Sequence, residues 1–110
     1  MTTPDPPYLA VIFTSQRTPG DDARYDATAA RMVELAREIP GFVGVETARD
    51  HNGTGITVSY WQDEAAVERW RTHPEHLDTQ AKGRADWYEW YELRVANVQR
   101  AASFMRPVDG

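Results

Sequence analysis

Apolar residues alternate or run together in four short segments and recur at helical spacing in three others. The chain therefore reads as strands and helices interleaved. Tyr8 to Ser15 (YLAVIFTS), released from Pro6-Pro7, is rich in β-branched and aromatic residues and predicts a first strand. Leu9, Val11 and Phe13 point one way along it, Tyr8, Ala10 and Ile12 the other, and a strand apolar on both sides wants cover on both faces of its sheet. Thr18-Pro19-Gly20 is a turn, with Asp21 or Asp22 as N-cap of a first helix. From Ala23 to Glu38 the residues Tyr25, Ala29, Met32, Ala36 and Ile39 recur at steps of three or four, which predicts that helix, and Pro40-Gly41 ends it.

Phe42 to Arg49 and Ile56 to Trp61 read as a hairpin whose turn holds Asn52-Gly53, a pair that tolerates positive φ. Asp63 caps a short second helix through Trp70, burying Ala66, Val67 and Trp70. Thr72-His73-Pro74 breaks it, and Pro74 suits the first turn of a third helix running to about Asp86. Leu77, Ala81, Ala85 and Tyr88 fall on one stripe of that helix. Tyr91 to Val98 is a last strand, and the rest is a polar tail with Phe104 as a candidate anchor. The order β-α-β-β-α-α-β predicts an α+β fold with an antiparallel sheet, made of a leader (1–7), one domain (8–104) and a tail (105–110).

Helices on one side leave the opposite sheet face bare, with part of Leu9, Val11, Phe13, Val43 and Val45 expected to be wet. At about 25 cal/mol per Å², a few hundred Å² of such surface costs several kcal/mol. A homodimer packed sheet to sheet is the expected remedy.

Composition narrows the function classes. In 110 residues, acidic side chains outnumber basic ones by 17 to 12 and no Lys/Arg cluster stands out, which argues against a nucleic-acid partner. There is no cysteine, so disulfides and thiolate ligands are excluded. The N-terminal MTTPDPPY lacks a basic region and a long apolar run, and no segment is apolar for long enough to span a membrane. A cytoplasmic location is the expectation.

One third of the chain holds most of the candidate chemistry. Residues 61–91 carry all four tryptophans, Trp61, Trp70, Trp87 and Trp90, together with His73, His76, Tyr88 and Tyr91. Such rings either line a mostly apolar pocket with a few polar handles or fill a small core. His73 serves equally well as a helix-junction residue bonding backbone near Pro74, and His51 sits at a hairpin tip where it is solvated. His73-x-x-His76 supplies two metal ligands and no third, so no metal site is expected. Trp90 and Tyr91 suit a dimer contact as well as a ligand contact. Gly53-x-Gly55 belongs to the hairpin and is no phosphate loop.

Ile39-Pro40-Gly41-Phe42 with Gly44-Val45-Glu46, and then Gly55 to Trp61 before an acidic helix start, resemble the antibiotic biosynthesis monooxygenase domain family. Trp70, His73-Pro74-Glu75-His76, Gln80, Gly83-Arg84, Trp87-Tyr88, Tyr91 and Arg94-Val95 are similar to a bacterial subgroup of it. Any one of these is weak; their order and spacing, over roughly Tyr8 to Phe104, are specific. The resemblance implies a ferredoxin-like subunit, a dimeric α+β barrel and a family of mixed function. Some members oxygenate aromatic polyketides without metal or flavin, and others degrade haem. Where the haem-degrading branch places its iron-ligating histidine, this chain has Gln80, a poor iron ligand, with His76 one turn earlier. Phe13 stands near the position of that branch's first-strand asparagine.

The leading expectation is therefore a cofactor-independent monooxygenase of a small or polycyclic aromatic or phenolic substrate. His73 or His76 would be the base, Trp70 would share the catalytic centre, and Phe13, Trp61, Trp87, Tyr88 and Tyr91 would hold the substrate. The rival expectations are a haem-binding or haem-degrading protein and a non-catalytic binding module.

Overall fold

A computed structural model describes residues 5–108. It contains the expected order of elements: β1 (Tyr8–Arg17), α1 (Asp22–Glu38), β2 (Phe42–Arg49), β3 (Thr54–Trp61), α2 (Glu64–Arg71), α3 (Pro74–Lys82), a π-helical turn (Gly83–Trp87) and β4 (Tyr88–Val98). The strands form one antiparallel sheet in the order β2-β3-β1-β4. This is the ferredoxin-like α+β subunit. Among the described residues no helix is long and apolar enough to cross a membrane. The first four residues of the expected leader and the last two of the expected tail lie outside the described range.

Several local expectations hold for the physical reasons given. The Asp63 carboxylate accepts from the Ala66 N–H at 2.9 Å and caps α2. In the β2–β3 hairpin the positive φ falls on Gly53 alone, at 90°. Asn52 instead donates its backbone N–H to the Asp50 carboxylate, as does Thr54, at 2.9 and 3.1 Å. At α1 the N-cap position belongs to Asp21, but its carboxylate does no capping. It accepts from the Trp87 indole N–H at 3.2 Å and pairs with Arg24, so the start of α1 is tied to the far end of the helical segment.

Three expectations are corrected. The inward stripe of the third helix is His76, Thr79 and Gln80, while Leu77 and Ala81 are exposed. The helix ends early in a wide turn closed by the Tyr88 N–H on the Gly83 carbonyl, so Tyr88 belongs to a strand and not to a helical face. Gly83 is buried beneath the Tyr88 ring, where a Cβ would lie 2.9 Å from it. Phe104 is 82 % exposed and anchors nothing in the single chain. The wet apolar surface differs in part from expectation. Val11 and Phe13 lie on the helix-covered face, since Val11 packs against the Trp61 cluster and Phe13 against Tyr88. The exposed apolar residues of the sheet are Val43 of β2, as expected, with Ile56 and Trp90 on the far face and Tyr91, Leu93 and Val95 on the near face of β4.

The core explains that last group. Ala36, Trp61 and Ala66 form its buried centre, with Val11, Ile39, Phe42, Val67 and Trp70 packed around them. Helix α1 reaches this centre through Ala36 near its C-terminal end. At its other end Tyr25 meets the sheet side through Arg17, Trp87 and Tyr88. Between the two contacts Ala29 is exposed although it faces the sheet. The helix bridges the sheet rather than lying on it, and between Tyr88 and Val98 the residues of β4 are exposed.

Candidate functional site

The gap under α1 is a cleft of about 1220 Å³, large enough for a multi-ring molecule. Its floor is the near face of the sheet, including Val11, Phe13, Val45 and the hydrogen-bonded pair Thr47–Thr57, whose hydroxyl oxygens are 2.8 Å apart. Tyr25, Ala29, Met32 and Val33 of α1 form the roof. Tyr91, Leu93 and Val95 of β4 line the open side.

At one end α2 and α3 meet. The helix break at Thr72-His73 turns α3 back so that His76 lies against Trp70, ring centroids 4.0 Å apart and planes 14° from parallel. Trp70 in turn stacks on Trp61, 6.0 Å away at 24°. His76 Nδ1 is 3.0 Å from the Trp70 carbonyl oxygen. A carbonyl only accepts, so Nδ1 carries the proton and Nε2 keeps its lone pair. Among the described side chains nothing bonds Nε2. Burial pushes the His76 pKa below the ordinary histidine value; the bond to the Trp70 carbonyl works against this, and the charge of His73 adds to it. At neutral pH His76 is thus an uncharged imidazole with a free ring nitrogen at a cleft wall.

At the other end the ends of β1, β2 and β4 meet the start of α1. Tyr25 and Tyr88 share a hydroxyl–hydroxyl hydrogen bond of 2.9 Å. Arg49 donates to the Tyr25 hydroxyl at 3.1 Å, to Ser15 Oγ at 3.0 Å and to the Gly53 carbonyl at 2.5 Å. The guanidinium of Arg17 lies 3.8 Å from the Tyr25 ring centroid and donates to the Gly20 carbonyl and to Asp22. Burial, followed by the bond to Tyr25, pushes the Tyr88 pKa far up, so its hydroxyl stays protonated.

The residues singled out from sequence divide accordingly. Phe13, Trp70, His76, Trp87, Tyr88 and Tyr91 all line the cleft. Phe13 touches both Tyr88 and Tyr91 edge-on or tilted, at 5.3 and 5.2 Å between centroids. Trp61 does not line it: the residue is 0 % exposed, its N–H spent on Ser59 Oγ at 2.8 Å, and it belongs to the core. His73 does not line it either. Its Nδ1 accepts the Glu75 backbone N–H at 3.2 Å, so it caps α3 and is committed to the helix junction. Sequence reasoning misses the two arginines. Among the described residues no group of three or more His, Cys, Asp or Glu side chains is placed to hold a metal ion.

The sequence profile described as antibiotic biosynthesis monooxygenase matches residues 8–82. The uncharacterized protein YqjZ of Bacillus subtilis is 52% identical over 102 residues, covering 93% of this chain and 89% of that protein. The jasmonate monooxygenase ABM of Pyricularia oryzae is 33% identical over 92 residues, covering 82% of this chain but 43% of that longer protein. Among solved structures, a variant of SnoaB, a cofactor-independent oxygenase from Streptomyces nogalater, superposes with a TM-score of 0.73. It is 19% identical, with 86% of this chain and 95% of SnoaB covered, and at that identity the likeness concerns the fold.

Proposed function

Because the chain belongs to the antibiotic biosynthesis monooxygenase family, we propose that it is a monooxygenase that oxidises an apolar ring substrate in the cleft, with O₂ reduced by the substrate's own electrons. The observation that carries this reading is the uncharged His76, its Nδ1–H held by the Trp70 carbonyl and its Nε2 free. A substrate CH₂ made acidic by a neighbouring carbonyl or phenol gives a proton to Nε2. The enolate left behind adds O₂ at that carbon. One oxygen atom becomes the new carbonyl and the other leaves as water, so CH₂ and O₂ become C=O and H₂O. Trp70, Phe13 and Val11 give the enolate an apolar wall and floor at this end of the cleft. The relatives named as monooxygenase and cofactor-independent oxygenase support the same reaction class.

The test is O₂ uptake by the purified protein with a panel of anthrone-type and hydroquinone substrates. Uptake that falls by about 100-fold or more in His76→Gln is the expected result. No uptake with any member of the panel removes the reading.

The working unit in this reading is a homodimer. Ile56 and Trp90, both on the face without helices, are each 47% exposed. A second copy packed on that face takes them out of water.

A further inference from the structure

The end of the cleft opposite His76 has more hydrogen-bond donors than acceptors. Arg49 uses three of its five N–H donors, on Gly53, Ser15 and Tyr25, and among the described residues no carboxylate pairs with it. Tyr25 and Tyr88 carry two hydroxyl hydrogens but make one bond between them. Since Arg49 donates into Tyr25, one phenolic O–H has no described protein acceptor. Arg17 is 7% exposed, and its Nε is buried with no partner. Arg17 is already ion-paired with Asp22, so the cation left without a carboxylate is Arg49, and such a surplus of donors around it suits a ligand group that only accepts.

The backbone is shaped for this arrangement. Gly55 is a buried glycine inside β3, directly opposite Arg49. A Cβ there would lie 2.6 Å from the guanidinium carbon of Arg49 and 2.9 Å from both of its terminal nitrogens. The glycine is what allows the guanidinium to lie flat across the strand toward Ser15 and Tyr25.

We propose that Arg49, Arg17 and the Tyr25–Tyr88 pair form a carboxylate subsite, so that the substrate is an apolar ring compound bearing one carboxylic acid at the end remote from the reacting carbon. This deepens the oxygenase reading of the same cleft and rests on it. The exposed acids along the cleft, Asp22, Asp26 and Glu89, disfavour a dianion such as a phosphate monoester and leave a single carboxylate as the match. Asp50 is occupied with its own turn. Ser15, beneath Arg49, and Val11, which packs against the same buried cluster as Trp70, are four residues apart on β1, or about 13 Å. That is the length a ligand spans between the two ends.

The test measures binding by quenching of tryptophan fluorescence. The probes are one-, two- and three-ring aromatic carboxylic acids, each beside its methyl ester. The expected result is that at least one acid binds tighter than its ester by about tenfold or more, and that Arg49→Gln removes the difference while leaving the ester's affinity unchanged. Gly55→Ala, which pushes the guanidinium aside, is expected to act in the same direction. Arg49 also bonds the buried Ser15 hydroxyl, so the melting temperature of Arg49→Gln is measured beside its binding, and a retained ester affinity shows that the cleft is intact. Acids and esters that bind equally overturn the subsite while leaving the cleft as a ring-binding site. If neither form binds, both the subsite and the oxygenase reading fall.

Discussion

Trp70 holds His76 twice, with its indole ring against the imidazole face at 4.0 Å and with its own carbonyl oxygen 3.0 Å from Nδ1. One residue thus fixes both the plane and the tautomer of the ring. The helix break before Pro74 makes this possible, because His76 then falls one turn into α3 and beside the C-terminal carbonyls of α2, of which Trp70's also accepts from the His73 N–H.

A base so placed has a defined pH signature. Burial lowers the His76 pKa, so the neutral form required for proton abstraction persists below the usual histidine value of about 6.5. The rate of O₂ uptake is expected to rise with pH along a limb whose midpoint lies below that value. In His76→Gln the limb disappears together with the rate. A limb centred above 6.5 would show that another group is the base.

The same shift bears on stability. Between the lowered folded pKa and about 6.5 the unfolded chain binds a proton at His76 that the folded chain does not. Stability is therefore fully present above about 6.5 and falls as the pH drops through that window. Urea midpoints measured from about pH 7.5 to 5 are expected to fall in the native protein and to fall less in His76→Gln. Equal slopes for the two proteins would remove His76 as the cause. Glu68 and Glu75, held below the carboxylate range by Arg71 and Arg31, act at lower pH and on the exposed surface.

Which tryptophans touch ligand is not legible in the sequence, because core and pocket tryptophans share one spacing. Trp61 and Trp70 stack on each other, yet only Trp70 reaches the cleft. Trp61→Phe loses ring area and the bond to Ser59, and is expected to destabilise the fold by about 1–3 kcal/mol in urea denaturation. The KM for any substrate found should not move. Trp70→Phe should show the reverse balance, with KM and kcat affected more than stability.

The legible part of the fold comes from periodicity and punctuation: the strands, the α2 cap at Asp63, the break at Pro74 and the Gly-rich hairpin. The π-helical turn is hidden because an added backbone residue leaves no mark in residue type, and it takes Tyr88 off the helical face and into β4. Arg49 reads as an ordinary polar residue at a strand end, and Arg17 lies beyond the expected end of β1. Two signals are nonetheless present. Arg17 continues the alternation of Val11, Phe13 and Ser15, and Gly55 is a strand-interior glycine, which marks a close approach by some other group.

Glycine placement gives a sharper test of packing. Gly20 and Gly41 both have positive φ, at 87° and 94°. A Cβ on Gly20 meets nothing within 4 Å, whereas one on Gly41 would lie 2.6 Å from Ala66 Cβ, at the buried contact of α2 with the sheet. Gly20→Ala is expected to cost about 1–2 kcal/mol for the backbone alone. Gly41→Ala should exceed it by about 1–3 kcal/mol for the clash. Equal urea midpoints would mean that α2 can move away without loss.

The proposed dimer rests on a face, and the face can be edited. Ile56 pairs across β1 with Thr14, and Trp90 with Gln16, so both project from the side of the sheet opposite the helices. Neither touches the cleft floor, which lies on the other side. Ile56→Asp with Trp90→Glu places two charges on that face. If two copies meet there, burying an unpaired carboxylate at the contact costs several kcal/mol and shifts the equilibrium to single chains. Analytical ultracentrifugation at micromolar concentration is expected to give a dimer for the native protein and a monomer for the double variant. The monomer should still bind ring compounds if each cleft is complete within one subunit, as its lining from a single chain indicates. A native protein that sediments as a monomer removes the homodimer and leaves the far face to another partner; a double variant that stays dimeric moves the contact to the open edge of β4, where Leu93 and Val95 are exposed.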